Sequence, residues 1–305
     1  MWFTARVGEQ REGVAWALLG VLLFSFSVPL TKVAVKGFDP FLTATGRAVI
    51  AAALALALIV WRRVPFPPRA QLRPLFLTML GAVFGWPILL ALALQRTTSA
   101  HAAVIAAFMP LTTALIAVLR THERVAWQFW LAAGTGTTAL LAFALSRGGA
   151  EGGDLIADAL VACAVVASSW CYVEGASVTK VMPGWQVISW VVVLALPITV
   201  PASAGIWLAT HAHRHPTSGA WGSLVSLGVS SMYLGFFAWY RGLALAGIAR
   251  GGQVQQLQAL LTLAWSAVLL HEHVTRITVL ASVAVIVCAV WAQRVRAPAE
   301  AAPQE

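Results

Sequence analysis

The sequence predicts an all-α integral membrane protein with ten transmembrane helices, arranged as two inverted five-helix repeats. Three observations predict it. Of the 305 residues, 60% are hydrophobic and 10% charged, and the mean hydropathy is +0.81. A soluble domain is about a quarter charged, so this chain has too few charges to cover a water-facing surface. Apolar runs of spanning length recur from end to end, and lipid offers a backbone no hydrogen-bond partners, so such runs must be helices. The chain also corresponds to itself at a shift of 149 residues. This composition excludes a disordered chain, a collagen-like chain and an ordinary soluble enzyme.

In order, the predicted spans are 14–33, 39–61, 74–94, 98–118, 126–145, 155–175, 184–205, 220–243, 250–270 and 276–293. The first follows a polar start, as a signal peptide would. Its apolar stretch, Val14–Val35, is too long for an h-region and reads as a retained span. Punctuation separates the runs: GFDP after span 1, Arg62, Arg63 and PFPPRA after span 2, SRGGAEGGD after span 5 and HAHRHPTSG after span 7. Residues 14–145 form the first repeat and 155–293 the second.

Topology follows from the basic residues. With the N-terminus in the cytoplasm, Arg6, Arg11, Arg62, Arg63, Arg69, Arg73, Arg120, Arg124, Lys180, Arg241, Arg250, Arg294 and Arg296 lie inside. Lys32, Lys36, Arg96, Arg147, Arg214 and Arg276 lie outside, and Arg47 lies within span 2. The split, 13 to 6 with one left over from the 20 Lys and Arg, favours both termini in the cytoplasm. The net charge of +9 has no clustered basic face, which argues against nucleic acid as a partner. Cys163, Cys171 and Cys288 sit in apolar runs without metal-ligand or disulfide spacing.

At the 149-residue shift, Leu111 falls on Leu260, Thr113 on Thr262, His122 on His271 and Glu123 on Glu272. Val125, Leu131 and Ala132 fall on Val274, Leu280 and Ala281. The period holds five spans, an odd number, so the two halves must cross the membrane in opposite senses. Inverted repeats are a transporter feature, because two pseudo-symmetric halves can exchange conformations.

The segments KGFDPFLTATGRA, TTSAHAAVIAAFMPLTTALIAVLRTHERV and LGFFAWYRGLALAGIARGGQVQQLQALLTLAWSAVLLHEHVT resemble the EamA type of the drug/metabolite transporter superfamily, in its ten-helix form. CYVEGASVTKVMPGWQVISWVVVLALP resembles one subgroup of its bacterial members. The resemblance spans nearly the whole chain. It implies an inner-membrane transporter, often an exporter of amino acids or other small metabolites. The family usually has a proline in span 9 to match Pro110 of span 4, whereas the aligned residue here is Ala259.

Polar residues within spans are costly and mark cavities or helix contacts. In span 9, Gln255, Gln258, Thr262, Trp265 and Ser266 fall within roughly 100° of one another on a helix, while Gln253 and Gln256 lie on another face. Amides can hydrogen-bond a substrate's charged groups, and equally can join helices. In span 6, Asp158, Ser169 and Tyr172 share a face, with Trp170 and Glu174 opposite. Trp86, Trp170, Trp239 and Tyr172 are deep aromatic residues that could line a cavity for an amphipathic substrate; helix packing explains each equally well. Candidate coupling or pathway charges are Glu174, Lys32 and Arg47. A snorkelling carboxylate or lysine and a structural arginine are the competing roles, and the resemblance offers Lys32 as a pathway residue. The small four-helix multidrug members of the superfamily carry a coupling glutamate in their first helix, and run 14–33 has no acid.

Gly81 and Gly85 form a close-packing pair in span 3, where Pro87 predicts a kink. Gly134, Thr138 and Ala142 form a small-residue stripe in span 5, and Ala284, Cys288 and Ala292 form one in span 10. Packing within the chain and a homodimer are both open for these stripes. His211, His213 and His215 alternate in a loop, which reads as solvated rather than as a metal site. Neither a nucleotide-binding motif nor a cofactor or catalytic motif is present. The expected function is a secondary transporter, in the outward direction, of small amphipathic metabolites such as amino acids across the bacterial inner membrane, with membrane lipid as its surroundings. The alternatives are a lipid-modifying membrane enzyme and a membrane sensor without transport.

Overall fold

The computed structural model describes residues 2–121, 126–146, 154–246 and 254–296. His122, Glu123, Gln253 and the loop of 147–153 lie outside the described residues. The described residues are mostly helical, and the helices are numbered α1 to α10 by the predicted run that each follows. The first, α1, covers Trp2–Ser25 and resumes at Ser27–Gly37 after a turn at Phe26. The second, α2, is Pro40–Arg62, entered through Asp39, whose side chain accepts the Phe41 N–H ahead of a proline in the first turn. The third, α3, runs Arg69–Met79, then a π-helical stretch Leu80–Gly85, then Trp86–Ala93. The fourth, α4, is Ser99–Ala106 and, after a break, Met109–Thr121; α5 is Trp127–Ser146.

In the second half α6 is Leu155–Val178. The seventh, α7, is Gly184–Leu194 and Leu196–Thr210, bent by 51°. Pro197, in the first turn of the second segment, offers no N–H to the preceding turn and accounts for the bend. The eighth, α8, runs Ser218–Ser226, a π-helical stretch Leu227–Leu234, then Gly235–Ala246. Last come α9, Leu257–Leu270, and α10, Arg276–Arg296. Six of these are long and apolar enough to cross a membrane: Gln10–Gly37, Pro40–Arg62, Arg69–Ala93, Ser99–Arg120, Leu155–Val178 and Ser218–Ala246. The bent α7 pair makes a seventh, and α9 and α10 contribute shorter apolar helices.

The packing pairs segments across the two halves. The α1 helix lies along α8, and α3 lies along α6; α2 packs on α7, α4 on α9 and α5 on α10. Glycine permits the two longest contacts. A Cβ on Gly81 would lie 2.3 Å from the Ala167 carbonyl oxygen, and one on Gly85 2.5 Å from the Ala167 Cβ, so α3 and α6 touch backbone to backbone. On the α1–α8 side a Cβ on Gly242 would lie 2.6 Å from the Ala17 nitrogen, and one on Gly20 2.9 Å from the Trp239 nitrogen.

Two points of the sequence reading are refined here. The small stripe of α5, for which packing within the chain and between protomers were both open, does not pack within the chain at Gly134 and Thr138, which are exposed, and Gly134 has open space where a Cβ would go. Ala284 of α10 is also exposed. The α5–α10 contact runs instead through Ala132 and Gly136 against Cys288 and Ala289. The first helix also begins well before residue 14, so it does carry acids. One of them, Glu12, accepts hydrogen bonds from Arg241 at 2.8 Å and from Trp16 at 3.1 Å.

Candidate functional site

A central cavity lies where the two halves meet. Phe24 and Ser27 of α1, Arg47 of α2, Ala82 and Trp86 of α3, and Met109 of α4 line it from the first half. Ser168 and Tyr172 of α6, Ser231 and Phe236 of α8, and Gln258 of α9 line it from the second. A second cavity adjoins it, sharing Met109 and Gln258, and adds Val28, Ala106, Ala107, Pro110, Gln255, Gln256, Ala259 and Thr262. Each has room for roughly one or two waters.

Irregular backbone converges on these cavities. Ala82 belongs to the π-helical stretch of α3 and Ser231 to that of α8. The α4 break at Ala107 and Phe108 follows from Pro110, which has no N–H for the Ala106 carbonyl. Its counterpart 149 residues on is the turn at Gln256, just before α9. No proline accounts for that turn, so the two halves match here in backbone although Ala259 replaces the proline. The α1 turn at Phe26 lies between the cavity residues Phe24 and Ser27. Stretches of this kind are common at functional sites and at membrane depth occur only where protein or a cavity surrounds them.

The predicted residues divide into three groups. Gln255, Gln258, Thr262, Trp86, Tyr172 and Arg47 all line the cavities. The Gln255 amide has neither its oxygen nor its nitrogen hydrogen-bonded, and the Gln258 oxygen is likewise unpaired, although both side chains are buried. Thr262 instead donates to the Ser25 carbonyl at 3.0 Å, and Ser266 pairs with Ser99 at 2.8 Å, so part of the stripe joins helices. Gln256 is buried and lines the second cavity. It was expected on another face, and the turn at its own position breaks the helical count. Arg47 is 2% exposed. One of its terminal nitrogens donates to the Ser231 hydroxyl, while Nε and Nη1 have no hydrogen-bond partner.

Trp239 stands behind the cavity. It is buried, with its ring 5.4 Å from Tyr172 and 6.3 Å from Phe24, and braces those two lining rings. Trp170 is a correction. It is 41% exposed and faces away from the interior, because it lies on the far side of α6 from Ser169 and Tyr172.

Glu174 and Lys32 lie outside the cavity lining. Glu174 is 3% exposed and accepts from Arg120 Nε at 3.0 Å, tying the ends of α4 and α6 together. Lys32 donates to the carbonyls of Leu94 and Thr97, both at 2.6 Å, at the C-terminal end of α3. Glu272 accepts the N–H groups of Ser99 at 3.0 Å and Ala100 at 2.8 Å, at the start of α4. A cation at a helix C-terminus and an anion at an N-terminus each offset the helix dipole, so these two residues clamp the tight α3–α4 connection from both sides. His271 makes this reach possible by adopting a left-handed conformation, φ 54°, at the end of α9. Nearby, Arg96 donates to Asp154 at 2.9 Å, which with the α6 N-terminal amides holds that carboxyl below its ordinary range.

One pair was missed. His101 of α4 and Asp158 of α6 meet at 2.7 Å, both buried. A histidine and an aspartate one turn inside two runs were the available signal. The sequence places them 57 residues apart, and only the α4–α6 contact shows that they meet.

The comparisons agree with this architecture. The EamA-like transporter family matches residues 11–145 and again 155–292. An "uncharacterized transporter YdeK" of Bacillus subtilis (strain 168) is 40% identical over 276 residues, which is 90% of this chain and 95% of the relative. A crystal structure superposes with a TM-score of 0.66 at 19% identity, over 92% of this chain and 97% of its own, which shows a shared fold.

Proposed function

The chain belongs to the EamA-like transporter family, which makes it a multi-pass membrane transporter rather than an enzyme, and from that premise we propose a secondary transporter that exports small amphipathic metabolites such as amino acids. The observation that carries the reading is the convergence of broken and π-helical backbone from both halves on one central cavity. Of the eleven residues that line it, four are aromatic and five polar. Phe24, Trp86, Tyr172 and Phe236 offer an apolar wall, while Arg47 and Gln258, with Gln255 of the adjoining cavity, offer unpaired polar groups. An amphipathic molecule satisfies both.

Ten spans in two inverted repeats complete the proposal. Exchanging the halves, with α1 for α6, α2 for α7 and so on, turns the α1–α8 contact into the α6–α3 contact and returns the α2–α7, α4–α9 and α5–α10 contacts to themselves. The π-helical stretches of α3 and α8 exchange in the same way. Such pseudo-symmetry supports alternating access, in which each half adopts the other's conformation to open the opposite side. The basic residues support both termini in the cytoplasm of a bacterial inner membrane. Outward direction follows family habit alone.

Counterflow tests the reading. Purified protein in liposomes preloaded with an unlabelled amino acid should transiently accumulate the labelled one. Flat traces across amino acids and other small metabolites would remove the proposal.

A further inference from the structure

We propose that Arg47 is the receptor for a carboxylate, so that the transported molecule is an apolar amino acid or organic acid and not a cationic amphiphile. This rests on the transport reading above and narrows its substrate class. A buried guanidinium is expensive unless a counter-charge and hydrogen bonds offset it. Arg47 has one hydrogen bond, to the neutral Ser231 hydroxyl, and two nitrogens with no partner. Among the described residues no carboxylate forms an ion pair with it, and no acid lines either cavity.

The position is built rather than incidental. A Cβ on Gly228 would meet the Ile50 Cβ at 2.7 Å and the Arg47 carbonyl oxygen at 2.9 Å. This glycine therefore lets α2 and α8 close around the arginine, which lines the same cavity as Ser27, Ser168 and Gln258. Nη2 belongs to both two-nitrogen edges of the guanidinium and spends one N–H on Ser231, so its second N–H, together with that of either Nε or Nη1, leaves one edge for a carboxylate in two-point geometry. The aromatic wall of Phe24, Trp86 and Tyr172 lies across the same cavity and suits the apolar body of such a ligand. An ammonium alone would enter a space whose one fixed charge repels it.

The test uses matched ligands: phenylalanine, 3-phenylpropanoate, phenylalaninamide and phenethylamine, with a second set built on leucine. Thermal stabilisation of the purified protein reads binding, and counterflow reads transport. The two carboxylates of at least one set should stabilise the wild type at tenfold or more lower concentration than the amide and the amine. Arg47→Gln should erase that preference, and Arg47→Lys, which keeps charge but loses the fork, should retain part of it. Without ligand, Arg47→Gln should melt no lower than wild type, since it removes an incompletely paired buried cation; a structural arginine would instead leave the variant less stable. Amides or amines that bind as well as carboxylates, no stabilisation by any carboxylate, or a preference that survives in Arg47→Gln would each overturn the proposal. Carboxylate binding without counterflow would keep it and remove the transport reading. Counterflow of amines alone would do the reverse.

Discussion

Gln255 and Gln258 show how hydrogen bonding separates the cavity-facing part of the α9 stripe from the part that joins helices. A buried amide without partners loses its hydration and gains nothing in return, at about 1–3 kcal/mol for each unsatisfied group. The fold tolerates this at Gln255, where both amide atoms are unpaired, next to a cavity. Thr262 on the same stripe is satisfied by the Ser25 carbonyl and needs nothing further. Gln255→Leu or Gln258→Leu should therefore weaken substrate affinity roughly 5- to 30-fold, the equivalent of about 1–2 kcal/mol, while leaving the melting temperature unchanged or raised. Trp170→Ala, on an exposed face, should leave affinity unchanged. Equal tolerance of all three substitutions in a binding assay would return the glutamines to a packing role. The sequence indicated the stripe but not this division, because helical periodicity gives a face and not the partners on it. It also put Trp170 in the site on its aromatic character alone, although the same count placed it opposite Tyr172.

Between residue and molecule, the helices are defined by where they are interrupted. The Gly81–Gly85 pair announced a close contact in α3, which is present, and just ahead of Pro87 the helix carries a π-helical stretch. The matching stretch in α8 had no proline to announce it and was not foreseen. Nor was the turn at Gln256, which follows its counterpart in α4 without the proline that causes it there. Backbone irregularity set by packing between halves leaves little trace in a single sequence. The glycine contacts are testable as elements. Gly81→Ala drives a Cβ to 2.3 Å from the Ala167 carbonyl oxygen and should destabilise by about 1–3 kcal/mol. Gly134→Ala, with open space around it, should be neutral or slightly stabilising through better helix propensity. Melting curves of the two variants in detergent check this, and equal losses would contradict the α3–α6 contact.

For the whole molecule, most of the architecture was legible. Composition and hydropathy decide that helices fill a membrane, and the 149-residue self-correspondence already pointed to two related halves. The candidate cavity was legible in its parts: Arg47, Gln258, Trp86 and Tyr172 come from four helices and line it together. Their meeting required the inter-half packing, as did the reach of Glu272 to the start of α4. Orientation rests on the charge split. In a background lacking Cys163, Cys171 and Cys288, a cysteine at Ala212 should react with an impermeant thiol reagent applied to whole cells, and one at Ala70 only after lysis. Both positions are exposed in the structure, and the opposite labelling pattern would invert the topology.

That the central cavity is the transport path is tested most directly by a single cysteine within it. Ser168 lines the cavity from α6 and is 3% exposed, so a reagent reaches it only when one side opens. In the cysteine-free protein in liposomes, Ser168→Cys should remain active, lose counterflow when treated with a small thiol reagent, and be protected by saturating substrate. Modification that leaves counterflow intact, or that proceeds at the same rate with and without substrate, would place the path elsewhere.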